Sequence, residues 1–139
     1  MRMSKSQTCM GLDVGEKRIG VAVADTGVKI AVPLLAIEVD GSEIEEISKI
    51  YDQQEAQAVV VGYPRNQSGA ATAQTKLVEA FADKLKQKLE NVVFQDESVT
   101  SVIAEEQLAA HKRPYTKGDI DAQAAAVILQ DYMEINHAS

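Results

Sequence analysis

Met10-Gly11-Leu12-Asp13-Val14-Gly15-Glu16-Lys17-Arg18-Ile19-Gly20-Val21-Ala22-Val23-Ala24 holds two apolar runs on either side of a polar, glycine-containing turn. The first run reaches back to Thr8 and suits a buried strand. Gly15-Glu16-Lys17 reverses the chain, and Ile19 to Ala24 forms a second strand, so the pair reads as a β-hairpin. Asp13 stands in the middle of the first run. An ionised carboxylate there loses its hydration unless a positive charge or hydrogen-bond donors meet it. It either caps the turn through Gly15 or belongs to a site.

Beyond the hairpin, Asp25-Thr26-Gly27 turns the chain and Ile30 to Val39 reads as a third strand, with Pro33 marking an edge or a bulge. The period then changes. Ser42 with Glu45 three residues later is a capping-box pattern, and Ile44, Ile47 and Tyr51 follow at helical spacing. Ala58 to Gly62 is a continuous apolar run, as in a strand buried on both faces, and Tyr63-Pro64 ends it. Leu77, Phe81, Leu85 and Leu89 fall four apart on an amphipathic helix whose wet side carries Lys84, Lys86 and Lys88. Val92 to Glu97 is a further strand, and Thr100 or Ser101 caps a helix to about Ala110. A basic loop from His111 to Gly118 precedes a last helix, from about Asp119 to Glu134. Three hairpin-connected strands and two more separated by helices give an α/β class: one mixed five-stranded sheet covered by helices, expected to form a single domain over residues 1–139.

At 139 residues, 45% hydrophobic and 25% charged, the chain has globular proportions, which excludes disorder and fibrous repeats. No run approaches the ~20 apolar residues of a membrane span, and Met1 to Gln7 has no signal-peptide core, so a cytoplasmic protein without membrane contact is expected. A single cysteine, Cys9, allows no internal disulfide and reads as a small core residue. Two histidines so placed build no Ser-His-Asp or Cys-His triad, and His137 reads as tail. A net charge of −7 disfavours non-specific binding to phosphates, although a site that meets phosphate through a divalent cation can itself be acidic.

Two further acids join Asp13. Asp121, Ala124, Ala125, Ile128 and Tyr132 form one helical stripe, so Asp121 shares the face that packs on the sheet; the alternative is an acid favoured by the helix dipole, a place Asp119 already fills at the cap position. Asp96-Glu97 ends an apolar strand, where open α/β sheets place ligands, and alternation lets only one of the two face Asp13. Three clustered carboxylates imply hard cations with oxygen ligands, Mg²⁺ or Mn²⁺ rather than Zn²⁺, and the chemistry of phosphodiester hydrolysis.

Four segments resemble the YqgF-type nucleases, a bacterial RNase H-like family associated with pre-16S ribosomal RNA processing and with Holliday junction resolution. They are Gly11 to Asp25, Val60-Val61-Gly62-Tyr63-Pro64-Arg65-Asn66 with Gly69, Asp96 to Ser101, and Lys117-Gly118-Asp119-Ile120-Asp121 running to Gln130. They occur in the family's order over nearly the whole chain. The resemblance implies an RNase H-like fold, with three antiparallel strands followed by two parallel ones, and metal-binding catalytic acids at Asp13, Glu97 and Asp121. Ser98 stands where the family usually has arginine, Tyr63 where it has leucine, and Gln67-Ser68 where it has Met-Asp; these departures touch substrate contacts rather than the acids.

Around the acids, Gly15, Lys17 and Arg18 can hold a phosphate through backbone N–H groups and charge, against a solvated hairpin tip that needs glycine for positive φ. Arg65 and Asn66 can form a strand-end phosphate loop with Tyr63 stacking on a base, against an ordinary turn. Arg113 lies in the basic, Tyr115-containing loop that can clamp nucleic acid, against simple charge complementarity at a helix C-terminus. The leading expectation is a Mg²⁺- or Mn²⁺-dependent endonuclease that matures the 5′ end of the 16S ribosomal RNA precursor, as a monomer or homodimer. The alternatives are a junction resolvase on branched DNA, which needs a two-fold dimer, and a non-catalytic nucleic-acid-binding module of the same fold. An actin- or sugar-kinase-type ATP-binding protein shares the Asp-x-Gly turn, but it needs a second loop and a second domain that this chain has no room for.

Overall fold

A computed structural model describes residues 7–64, 72–97 and 100–136, with the backbone alone at 100 and 101. Five strands and four helices follow in the order β1 (Thr8–Val14), β2 (Arg18–Asp25), β3 (Ile30–Glu38), α1 (Glu43–Gln53), β4 (Ala56–Pro64), α2 (Ala73–Lys86), β5 (Val92–Glu97), α3 (Thr100–Ala110) and α4 (Lys117–Asn136). The sheet runs β3-β2-β1-β4-β5. The β1–β2 and β2–β3 pairs are antiparallel, while β1–β4 and β4–β5 are parallel. The expected mixed sheet is therefore present, with the Asp13 strand at its centre.

Alternation sends each strand's side chains to two cores. Met10, Leu12, Val59 and Val61 meet Ile47 of α1 and Val78, Phe81 and Leu85 of α2 on one face. Cys9, Ala22, Ala24 and Val60 meet Ala125, Ile128, Leu129 and Met133 of α4 on the other. Alanine predominates on the α4 face because the helix lies close to the strands there. Gln130 ties α4 to the edge strand: its Oε1 accepts from Ala31 N–H and its Nε2 donates to the Lys29 carbonyl. Pro33 marks both of the features expected of it. β3 is an edge strand, and Val21 pairs with Leu35 while Ala22 pairs with Pro33, so Leu34 is the extra residue of a bulge.

Two caps differ from expectation. Ser42 is the N-cap of α1 but makes no side-chain capping bond. Its hydroxyl and N–H both donate to Asp40 Oδ1, and Glu43, one residue on, accepts from the N–H groups of Asp40 and Gly41. The nearer acids outcompete Glu45. At α4, Thr116 takes the cap position expected of Asp119: Thr116 Oγ1 accepts from Asp119 N–H and Asp119 Oδ2 accepts from Thr116 N–H. The helix thus starts two residues early, and Asp119 is still committed to its end. A reciprocal Thr72–Thr75 box caps α2, with threonine in the place where glutamate usually signals one.

Candidate active site

Asp13 pairs across the sheet with Gly20 of β2, and its side chain shares the α4 face with Cys9 and Gly11. A Cβ at Gly20 would overlap the carbonyl of Asp121. Only glycine lets the first turns of α4 rest on β2, and that contact brings Asp121 over the strand beside Asp13. Arg18, two residues before Gly20 and on the same face, donates from Nε to Asp121 Oδ2 at 2.6 Å. Burial first, and the negative Asp121 second, push the Asp13 carboxyl up to about 6. The guanidinium is thus engaged by Asp121, and the Asp13 carboxylate stands beside that pair without a cation of its own among the described residues.

Register separates Asp96 from Glu97. Val60 and Gly62 of β4 face α4, and they pair with Val93 and Gln95 of β5. Glu97 continues that alternation onto the Asp13 face, at the carboxyl end of β5. Asp96 and Phe94 fall on the opposite side, where Phe94 meets Tyr63 edge-on at 5.1 Å and Lys86 lies 5.4 Å above the ring. The structure therefore brings Asp13 and Asp121 together and puts half-buried Glu97 on their face two strands away. Among the described residues, no three Asp, Glu, His or Cys side chains form a group placed to hold one metal ion.

The remaining residues singled out in the sequence have varied fates. Gly15 does not adopt a positive φ; its N–H donates to the Arg18 carbonyl at 3.0 Å, which closes the hairpin turn. Lys17 is exposed at the tip, and its carbonyl accepts from Val39 N–H. Tyr63 does not reach the acid face, because alternation turns it to the α2 side, where its hydroxyl donates to Glu79 Oε2 at 2.8 Å. Arg113 is exposed in the loop before α4. Arg65, Asn66, Ser98 and His137 lie outside the described residues. The Arg18–Asp121 pair spans 103 positions and was not foreseen. Its one signal was Gly20, since a glycine inside a strand marks close approach of another backbone.

The donor set suits a hard divalent cation in kind. Asp13 and Asp121 supply carboxylate oxygens at a spot short of positive charge, and Mg²⁺ commonly takes only one or two protein carboxylates, completing its shell with water and phosphate oxygens.

The sequence profile of the RuvX family, described as a Holliday junction resolvase, matches residues 7–135. This chain belongs to the RuvX family. Curated relatives agree over almost the whole length. A Gloeothece citriformis protein named "Putative pre-16S rRNA nuclease" is 38% identical, with 95% of this chain and 91% of that protein covered. A Chloroflexus aggregans protein of the same name is 40% identical over 92% of this chain and 94% of its own. Among solved structures, T. thermophilus RuvC in complex with Holliday junction substrate superposes with a TM-score of 0.55 at 15% identity, covering 95% of this chain and 96% of that one. Fowlpox virus resolvase with Holliday junction DNA gives 0.55 at 11%, covering 92% and 97%. At such identities these structures speak to the fold alone, and the fold they share with this RuvX-family chain is the RNase H-like one. No helix among the described residues is long and apolar enough to cross a membrane.

Proposed function

We propose that the chain is one nuclease domain over residues 1–139 that hydrolyses phosphodiester bonds in nucleic acid. Asp13, Asp121 and Glu97 would serve as its catalytic acids and as ligands for Mg²⁺ or Mn²⁺. The observation that carries this reading is the Asp13–Asp121 pair at the centre of the sheet, two neighbouring carboxylates of which Asp121 alone is held by a guanidinium. When bound, the cation supplies activation of water for attack on phosphorus and stabilisation of the departing oxygen. The protein's own contribution is placement. Gly20 admits α4, Arg18 fixes the Asp121 carboxylate, and the β1 backbone aims Asp13 toward the same spot. Asp13 is anionic above about pH 6 and then ready to accept a cation. Glu97 would join from β5 as substrate and cation fill the space between. Lys17, exposed at the hairpin tip, and the second face of the Arg18 guanidinium would meet the phosphate, together with Gly15 backbone, Arg65, Asn66 and Arg113.

The names of the relatives favour the 16S ribosomal RNA precursor as substrate, and with it a cytoplasmic location, where that precursor is made. The family description favours a second reading, resolution of four-way DNA junctions, which requires two symmetric cuts and hence a two-fold dimer. One experiment separates them. Purified wild type and Asp13→Asn are incubated with a precursor RNA and a synthetic four-way junction, each in Mg²⁺ and in Mn²⁺. Cleavage of RNA by a monomeric wild type, abolished in the variant, supports the first reading. Symmetric cutting of the junction by a dimer supports the second. Equal cleavage by wild type and Asp13→Asn removes the assignment of the site.

A further inference from the structure

A groove of roughly 640 Å³ opens beside the acid pair, walled by β3 on one side and the loop between α3 and α4 on the other. We propose that it receives an unpaired nucleotide of a single-stranded segment flanking the bond to be cut. This rests on the nuclease reading and adds to it the strandedness of the substrate.

Position comes first. Asp13, Gly20 and Ala36 lie in one row across the sheet, since Asp13 pairs with Gly20 and Gly20 with Ala36. Ala36 lines the groove, so the groove begins two strands from Asp13, about 10 Å at the usual strand spacing. The first turns of α4 bridge the two places: Gly118 and Ala122 line the groove, and Asp121 between them faces Arg18. A strand whose phosphate sits at the acids reaches the groove within a few nucleotides.

Charge and shape then select the occupant. The chain carries −7 overall, yet His111 to Lys117 contains Lys112, Arg113 and Lys117 and no acid. Asp119 is the acid on the groove wall, and its carboxylate is occupied by the Thr116 N–H in the α4 cap. Opposite these cations, Leu34, the extra residue of the bulge, exposes 38% of its surface, and Tyr115 exposes 41%. An apolar wall, an open aromatic ring and an adjacent guanidinium suit a base stacked on Tyr115 with its phosphate on Arg113. A base held within a duplex cannot leave its stack to enter such a groove without being unpaired.

The test is binding in EDTA, where no cleavage occurs. Fluorescence anisotropy with labelled single-stranded RNA, single-stranded DNA of the same sequence and a blunt duplex is measured for wild type, Tyr115→Ala, Arg113→Ala and Leu34→Glu. Both loop positions are exposed, and melting curves verify folding. Tyr115→Ala is expected to weaken single-strand binding roughly 5- to 100-fold, the range for loss of one stacked base. Arg113→Ala should lower the salt slope by about one, and Leu34→Glu should weaken both single strands. The better-bound strand names the sugar. Lys86→Ala, on the opposite face, should bind as wild type does. Unchanged single-strand affinity in Tyr115→Ala and Arg113→Ala, or equal affinity for the duplex, overturns the proposal. So does a wild-type dimer in light scattering that Leu34→Glu dissociates, because a second copy would then cover the groove. Loss of binding in Tyr115→Ala by a protein that cleaves nothing would leave the groove standing and the nuclease reading refuted.

Discussion

Asp13→Asn should make the protein more stable at neutral pH while it removes the proposed activity. The Asp13 carboxyl is raised to about 6, against about 3.9 in an unfolded chain, so the folded state binds its proton more tightly than the unfolded state does. A raised carboxyl works against folding when ionised. The cost is complete above about pH 6 and fades as pH falls toward 4, where both states hold the proton. The difference between the folded and unfolded carboxyl corresponds to roughly 3 kcal/mol at pH 7.5, falling to about 1 kcal/mol at pH 4.5. Asparagine is nearly isosteric and carries no charge, so it escapes this cost and leaves the Arg18–Asp121 pair in place. Allowing for solvent reaching the half-buried side chain, Asp13→Asn should gain about 1–3 kcal/mol at pH 7.5, or roughly 3–10 °C in Tm for a domain of this size. Urea unfolding of both proteins at pH 7.5 and pH 4.5, without divalent cations, measures it. A variant less stable than wild type at pH 7.5, or a gain that does not shrink at pH 4.5, would refute the picture of Asp13 as a desolvated, uncompensated charge.

Packing at the α4 face and the helix cap give further tests. Gly20→Ala should cost about 3 kcal/mol or more in chemical denaturation, because its Cβ meets the backbone of Asp121 rather than a side chain that can swing away. Gly41→Ala is the contrast: its φ of +100° makes alanine strained, yet the space is open, and a loss of only about 1–2 kcal/mol is expected. Thr116→Ala should lose about 1 kcal/mol through the α4 cap, detectable as a lowered urea midpoint with an unchanged slope.

What could be read in advance followed from local chemistry. The hairpin, the Val92–Glu97 strand and the Asp121 stripe all rest on periodicity within a few residues, and each stands where the pattern put it. β4 proved longer than its apolar core, running from Ala56 to Pro64, because pairing with β1 and β5 holds residues that polarity alone assigns to turns. The choice between Asp96 and Glu97 needed register, since alternation tells two faces apart but not which face carries α4. The same ambiguity covers Tyr63, whose place on the α2 side follows from register alone. The Arg18–Asp121 pair was hidden more deeply, as a contact between distant segments that exists only where a glycine lets a helix touch a strand.

The central claim is that Asp13 and Asp121 together make a seat for a divalent cation. Electron paramagnetic resonance of Mn²⁺ titrated into the purified protein at pH 7.5 tests it directly, because bound manganese loses the sharp signal of the free ion. Saturable binding by wild type, displaced by Mg²⁺ and reduced at least tenfold in both Asp13→Asn and Asp121→Asn, is the expected result. Equal Mn²⁺ affinity in all three proteins would contradict it.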